Sequence, residues 1–362
     1  MHTKQNILVI ISFFTVLTAC TPVVRNTFEV ATPISDVLNY VGTPDSTTDR
    51  SALSFSDQGA WFSYGLPDEN RCGFSGPFLM TQSNGTWSSK CLSELTIQVG
   101  DSTINMNDFE HTTKSYLSHL ENRFESDKLD VIQELFFSTS KSSVSRTRIL
   151  NKTDKSIEIQ AVWKGKLLDV SLFFSQENNE LKLYSTKSKT YGSLCFFEKA
   201  TLVVDSNQYR CTLTPRIIEA KSSVELINAH SFNEDVNSVE IRHLEDNIRS
   251  FSHALNTRIK EKTHQKEQFA YNPLWADSVQ EILGSKAILT LQNNWRSPSG
   301  ELKHSGLFPS YHYEWFHGFW AWDSWKHSAA LAHINPILAK DQLRAMYDYR
   351  TNDGFIPDCI FR

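Results

Sequence analysis

From about Phe28 to Leu226 apolar and polar residues alternate with a period of two. The stretch Ser156 to Trp163 shows the pattern best, and Leu167 to Phe174, Leu181 to Tyr184 and Ala200 to Val204 repeat it. Polar clusters at Asn151–Asp154 and Glu177–Glu180 supply turns between them. Strands at this spacing, with no helical stretch between, predict an antiparallel β-sandwich. After Asn233 the period changes. Ile241, Leu244, Ile248, Phe251, Leu255 and Ile259 step by three and four, which predicts an amphipathic linker helix that decays into the polar run Lys260–Lys266. Val279–Leu291 and Trp322–Ile334 read as further helices. Asn335-Pro336 supplies an N-cap and a first-turn proline for another helix, Ile337–Tyr349. Gly354 ends that pattern.

The chain has 362 residues, enough for two domains that each bury a core. A net charge of -5 offers no general attraction for phosphate backbones, so nucleic acid is a poor candidate partner. The first nineteen residues read as a targeting segment: Lys4 gives a positive start, and the apolar run that follows is too short for a membrane span. Its end, Leu17-Thr18-Ala19-Cys20, resembles the bacterial lipobox. The resemblance implies cleavage before Cys20 and lipidation of its thiol, hence a lipid-anchored protein of the bacterial cell envelope. An ordinary secretory signal with a chance cysteine is the alternative. Thr21, where an aspartate would favour the inner membrane, points to the outer membrane.

Five cysteines remain. Cys72 with Cys91 and Cys195 with Cys211 are close enough in sequence to be candidate disulfides, whereas Cys359 is left over. None has C-x-x-C spacing, so a zinc site is not expected. His312 and His317 are five apart, His327 and His333 six apart, and neither spacing puts two rings on one helical face. No phosphate-binding glycine loop or nucleophile elbow occurs, and no cofactor is indicated.

The chemistry gathers in Phe316–His327, where four of the 9 tryptophans (Trp315, Trp320, Trp322 and Trp325) fall in or beside one short stretch. A sugar ring needs flat aromatic faces for its C–H surface and carboxylates or amides for its hydroxyls. Phe319, Trp322, Asp323 and Trp325 supply these types. The alternative is an aromatic core with Asp323 as a helix N-cap to Trp325 and Lys326. Glu314 is a weaker candidate as a carboxylate partner for Asp323.

Four ordered motifs then carry a resemblance: Gln292–Gly300 (QNNWRSPSG), Phe319–Lys326 (FWAWDSWK), Ala332–Pro336 (AHINP) and Gly354–Asp358 (GFIPD). Together they resemble glycoside hydrolase family 63, in its bacterial glucosidases similar to mannosyl-oligosaccharide glucosidase. Shorter echoes stand at Asp36–Pro44 and Gly59–Trp61, and the Trp-Asp-Ser-Trp element is also similar to a trehalase signature. The resemblance implies a mainly β N-terminal super-sandwich followed by the first helices of an (α/α)6 barrel, left incomplete. The expected division is a lipoprotein signal over 1–19, the sandwich over 20–232, a helical linker over 233–270 and the start of the barrel over 271–362. The implied activity is inverting hydrolysis of α-glucosidic bonds in oligosaccharides, which needs one carboxylic acid and one carboxylate base. Trp322 and Asp323 are then implied to hold the non-reducing glucose, with Phe319 as a neighbouring wall. The acid and base are expected beyond Arg362, so no catalytic residue is assigned here and the chain itself is expected to be inactive. Two other readings stay open: a non-catalytic carbohydrate-binding lipoprotein and a trehalase-like α-glucosidase.

Overall fold

A computed structural model describes residues 34–81, 84–177, 180–233, 250–270 and 278–361. These all lie in one compact unit that starts at Ile34. The signal segment and Cys20 lie outside the described residues, as do Ile241, Leu244 and Ile248 of the predicted linker helix.

The protein is mainly β. Strands β1 (Phe62–Gly65), β2 (Ser75–Leu79) and β3 (Thr86–Trp87) make a small sheet beside the main sandwich. The sandwich itself is built from β4 (Glu94–Val99), β5 (Ser102–Thr103), β6 (Glu110–Ser115), β7 (Leu120–Glu125), β8 (Leu129–Phe137), β9 (Ser142–Asn151) and β10 (Ile157–Lys166). It continues with β11 (Leu172–Glu177), β12 (Glu180–Ser185), β13 (Tyr191–Phe196), β14 (Ala200–Asp205), β15 (Gln208–Leu213), β16 (Arg216–Ile218) and β17 (Ser223–Asn233). One sheet runs β14-β15-β10-β4-β5, with β16 also on β10; the other runs β11-β12-β13-β17-β9-β8-β7-β6. Every pairing within them is antiparallel. The period-two pattern has its cause here. Alternate residues such as Ile159, Ala161 and Trp163 of β10 point at Leu181, Leu183 and Leu194 of the facing sheet and make one apolar core.

One predicted strand is shorter than its pattern. Leu167–Phe174 does not run straight through, because Asp169 folds the chain back: its carboxylate accepts from the Ser171 amide at 2.8 Å and the Ser171 hydroxyl at 2.6 Å. The strand proper begins at Leu172.

Neither candidate disulfide is formed, and none of the five described cysteines is in a disulfide. Strand alternation explains Cys195 and Cys211. Cys211 faces the inter-sheet core, while Cys195 sits on the opposite face of its sheet, against a different apolar cluster. Cys72 and Cys91 are both buried near each other. The Cys91 sulfur fills the space over Gly73, where an added Cβ would fall 2.4 Å from it, and it packs as a small apolar group.

Four α-helices follow among the described residues: α1 (Phe251–Ala270), α2 (Ser278–Asn294), α3 (Ala321–Leu331) and α4 (Pro336–Tyr347). Helix α1 lies on the outer face of the eight-stranded sheet, where Phe251 and Leu255 pack on Phe136, Val144 and Ala229. Each of those two side chains contributes about 1.5–3 kcal/mol by burial. Arg146 fixes the docking: it bonds Glu134 at 2.6 Å and Ser252 at 2.8 Å, and lies 4.5 Å from the Phe251 ring centre. The predicted helix over Trp322–Ile334 starts one residue earlier and ends at Leu331. Tight turns then lead to Asn335, whose side chain accepts from the Leu338 amide at 3.0 Å and caps α4.

The helical segment is joined to the sandwich by buried polar contacts. Asn293 accepts from the Ser56 amide at 3.0 Å and donates to the Tyr40 hydroxyl at 2.6 Å. Tyr311 donates to the Ser54 carbonyl at 2.6 Å. Asp57, fully buried, meets Arg258 and Lys262 of α1, the latter at 3.1 Å. Burial alone would raise the Asp57 pKa, but Lys262 and Arg258 outweigh it and hold the carboxyl below its usual range. Gly59 is required at this joint. Its φ is +74°, and an added Cβ would fall 2.7 Å from the Ser297 amide nitrogen. Thus the short motifs at Asp36–Pro44 and Gly59–Trp61 touch the longer one at Gln292–Gly300.

Candidate sugar-binding site

Helix α3 is set in place from both ends. Two short strands, β18 (Trp295–Arg296) and β19 (Gly306–Leu307), pair beside it. At its start, β20 (Phe319–Trp320) pairs with β21 (Cys359–Ile360), and the Ala321 amide donates to the Asp358 carbonyl at 2.9 Å. Along its inner stripe, Ser324 donates to the Trp320 carbonyl at 2.7 Å and accepts from Gln342 of α4 at 2.6 Å. The Gln342 carbonyl in turn accepts from the Leu307 amide. Ser324, at the centre of the Trp-Asp-Ser-Trp element, therefore locks α3 to α4.

With Ser324, Ser328 and Leu331 facing inward, the 3.6-residue period turns Trp322 and Trp325 outward. Trp322 is 73% exposed and Asp323 is half-buried beside it. The Lys326 ammonium lies 4.2 Å from the centre of the Trp322 ring, one helical turn on. His327 shares the Asp323 face; burial lowers its pKa, with Asp323 pulling the other way and Lys326 adding to the lowering. An aromatic face, an acceptor and an ammonium donor thus stand within two turns. That set can stack on a pyranose and bind paired hydroxyls.

Asp323 is not a cap. The N-cap of α3 is Trp320, which makes no side-chain cap bond, and Asp323 lies inside the first turn. Its charge still suits the positive end of the helix.

Phe319 is a correction. Its ring is fully buried, stacked over Gly306 and 5.5 Å from Phe308, in a cluster that also holds Trp61, Phe78 and Met346. It faces inward because it precedes the helix on a paired strand, so it supports the site from beneath and offers no wall to a sugar. Glu314 is exposed and interacts with Arg50, which leaves the proposed partnership with Asp323 unsupported.

Three histidines of this region bond to main chain or acid. His312 bonds the Arg50 carbonyl at 2.8 Å, His317 the Tyr311 carbonyl, and His304 the Asp348 carboxylate at 2.6 Å. Among the described residues no group of three or more His, Cys, Asp or Glu is placed to hold a metal.

Sequence reasoning missed Arg296. It is fully buried, donates to the Asn293 carbonyl at 2.6 Å, and lies 5.5 and 5.7 Å from the ring centres of Phe308 and Tyr311. Burial pushes its pKa down to about 9, with Tyr311 pulling the other way. It braces the aromatic floor under β20 and α3. Its place between Trp295 and Ser297 in the first motif was the available signal.

Comparisons with known proteins agree with this architecture. Residues 40–210 match the family model described as Glucosidase YgjK, N-terminal. The chain is also similar to a protein from the human microbiome assigned as a kojibiose phosphorylase: 8% identity, TM-score 0.54, over 81% of this chain and 46% of that one. A family GH92 α-mannosidase from Bacteroides thetaiotaomicron is similar at 9% identity and TM-score 0.35, over 90% of this chain and 50% of that one. The first of these likenesses speaks for the fold alone, and the second is too slight to carry an argument. This chain spans about half the length of either structure. The glucosidase N-terminal match covers the strands from β1 into β15, and it does not single out family 63.

Proposed function

We propose that this protein serves hydrolysis of α-glucosidic bonds in oligosaccharides, by an inverting mechanism of the family 63 kind, with Trp322 and Asp323 gripping the non-reducing glucose. The carrying observation is the outward pair on α3: an exposed indole beside a half-buried carboxylate, held rigidly by Ser324 and Gln342. The match of residues 40–210 to a glucosidase N-terminal domain supports the same reading. Asp323 accepts sugar hydroxyls and moves no proton. The acid and base of an inverting mechanism must sit across the scissile bond from one another, with room for water. The proposal assigns neither to the motifs between Asn294 and Asp358. The helices continue into an (α/α)6 barrel in this reading, and a lipid on Cys20 holds the protein at the outer membrane.

Calorimetric titration with glucose and with α-1,1-, α-1,2- and α-1,3-linked glucose disaccharides tests the grip. Asp323→Ala is expected to weaken binding about ten- to a hundredfold, the worth of hydrogen bonds to a charged group. Undiminished affinity in that variant overturns the assignment. Preference for the α-1,1 disaccharide would favour a trehalase-like enzyme. Binding with no hydrolysis of any linkage, in a protein that includes the whole reading frame, would favour a non-catalytic carbohydrate-binding lipoprotein. Incorporation of labelled palmitate, lost in Cys20→Ala, tests the anchor.

A further inference from the structure

The eight-stranded sheet has an outer face whose two halves differ. Helix α1 covers the half formed by β8, β9 and β17, through Phe251 and Leu255. On the other half, β11, β12 and β13 carry three aromatic residues in strict register: Phe173 stands opposite Tyr184, and Tyr184 opposite Tyr191. Their ring centres are 5.5 and 5.3 Å apart, so they form an unbroken row across three strands. Strand alternation puts the row on the outer face, because Leu172, Phe174, Leu181, Leu183 and Leu194 take the inward positions. Phe173 ends the row on the sheet's edge strand and is 38% exposed.

Polar groups flank the rings. Glu177 and Glu180 stand opposite each other two same-face rows beyond, and the Tyr184 hydroxyl donates to Glu177. Lys182, in the neighbouring row, bonds Glu180 and the Ser193 hydroxyl and lies 5.5 Å from the Tyr191 ring centre. This cation already fills the position that a cationic ligand would take over the ring and beside the carboxylate. What the surface still offers is an aromatic row for C–H faces and carboxylate lone pairs for hydroxyls. That is the chemistry of a neutral, hydroxyl-rich chain.

We propose that the Phe173–Tyr184–Tyr191 row is a second carbohydrate-binding surface, on the sandwich and separate from helix α3, that takes an oligosaccharide chain. The ring spacing is close to the strand separation and to the length of one hexose unit, so consecutive sugars can lie along the row. Only the choice of α-linked glucan as first probe rests on the α-glucoside reading above.

Affinity electrophoresis of the whole chain in gels containing a soluble α-glucan, a soluble β-glucan or no polysaccharide tests this, carried out in an Asp323→Ala background to silence the α3 site. Retardation by one of the glucans is expected. Phe173→Ala and Tyr184→Ala should each weaken it about tenfold, consistent with the loss of one stacking contact, and the far-ultraviolet spectrum and melting temperature should stay unchanged. Retardation by the β-glucan alone would keep this surface while counting against the α-glucoside reading. Three results overturn the proposal: no retardation in either gel, retardation indifferent to Phe173→Ala, or light scattering that shows a dimer broken by Phe173→Ala. The last would make the edge strand a contact between two copies.

Discussion

The sandwich and the helical segment use the same residue types in opposite ways. In the sandwich, with the Phe173–Tyr184–Tyr191 row as an exception, large rings such as Phe55, Phe62, Phe124, Phe137 and Trp163 turn inward and are buried in one core. In the helical segment Trp315, Trp322, Tyr347 and Phe355 face solvent, while the inner stripes of α3 and α4 hold Ser324, Ser328, Gln342, Ala345 and Met346. The sandwich can afford no buried charge except where a partner is at hand, as with Glu134 and Arg146. The helical joint is held largely by buried amides, hydroxyls and the Asp57 ion pairs. An aromatic residue therefore says little by itself. Its phase within the local period decides whether it is core or binding surface.

The sharpest way to break this contrast is to remove one ring from the inside. Trp163 projects from the middle of β10 into the inter-sheet core and is 6.2 Å from Phe196. Trp163→Ala should cost about 3–5 kcal/mol, from lost transfer energy and the cavity left behind. Urea denaturation followed by circular dichroism checks this. A loss below about 1 kcal/mol would mean that the core collapses around the gap, or that the ring is less central than its burial indicates.

How much of this was legible beforehand follows from the same physics. Alternation in Ser156–Trp163 identified a strand because one face of that strand is core and the other is not. The caps of α4 were legible because Asn335 and Pro336 act locally. The sugar-holding role of Trp322 and Asp323 came from the resemblance alone, and their outward turn became visible only once Ser324, Ser328 and Leu331 were seen to take the inner stripe. Phe319 was misjudged because its inward turn depends on pairing with Cys359–Ile360, some forty residues away. The cysteine pairs failed for a related reason. Sequence separation does not reveal that Cys195 and Cys211 lie on different sheets, with Cys211 turned into the core between them and Cys195 turned away from it. The Phe173–Tyr184–Tyr191 row was hidden because it exists only once three strands align in register.

A smaller effect separates the regions by pH. In the sandwich, burial lowers the pKa of His230 to about 3 and, against the pull of Glu134, that of His119 to about 4. In the helical segment burial lowers that of His317 to about 4. His230 is held neutral between the Tyr64 hydroxyl and the Ser93 hydroxyl, each at 2.7 Å. These folded values lie below the unfolded value of about 6.5. As pH falls through 6.5 the unfolded chain takes up protons first, so stability is full above that pH and declines toward pH 3–4. The decline per histidine should be on the order of 1–3 kcal/mol. Urea midpoints at pH 7, 5.5 and 4.5 measure it. His230→Gln, which retains hydrogen-bonding groups but cannot titrate, should flatten the slope; an unchanged slope would remove His230 as a source.

The smallest expected effect on stability is at Trp322, and it is the most informative about function. The indole's visible partner is Lys326, and an exposed cation–π pair contributes about 0.5–1 kcal/mol. Trp322→Ala should therefore shift the unfolding free energy by no more than about 1 kcal/mol, far less than Trp163→Ala. Glucose affinity should fall about tenfold in the same variant, because a stacking face is gone while Asp323 remains. Measured side by side, unfolding and binding give each tryptophan two coordinates. Trp163 should be large in the first. Trp322 should be small in the first and large in the second. A Trp322 variant that melts early and binds sugar normally would place that ring in a core, and the outward pair on α3 would lose its claim to be a site.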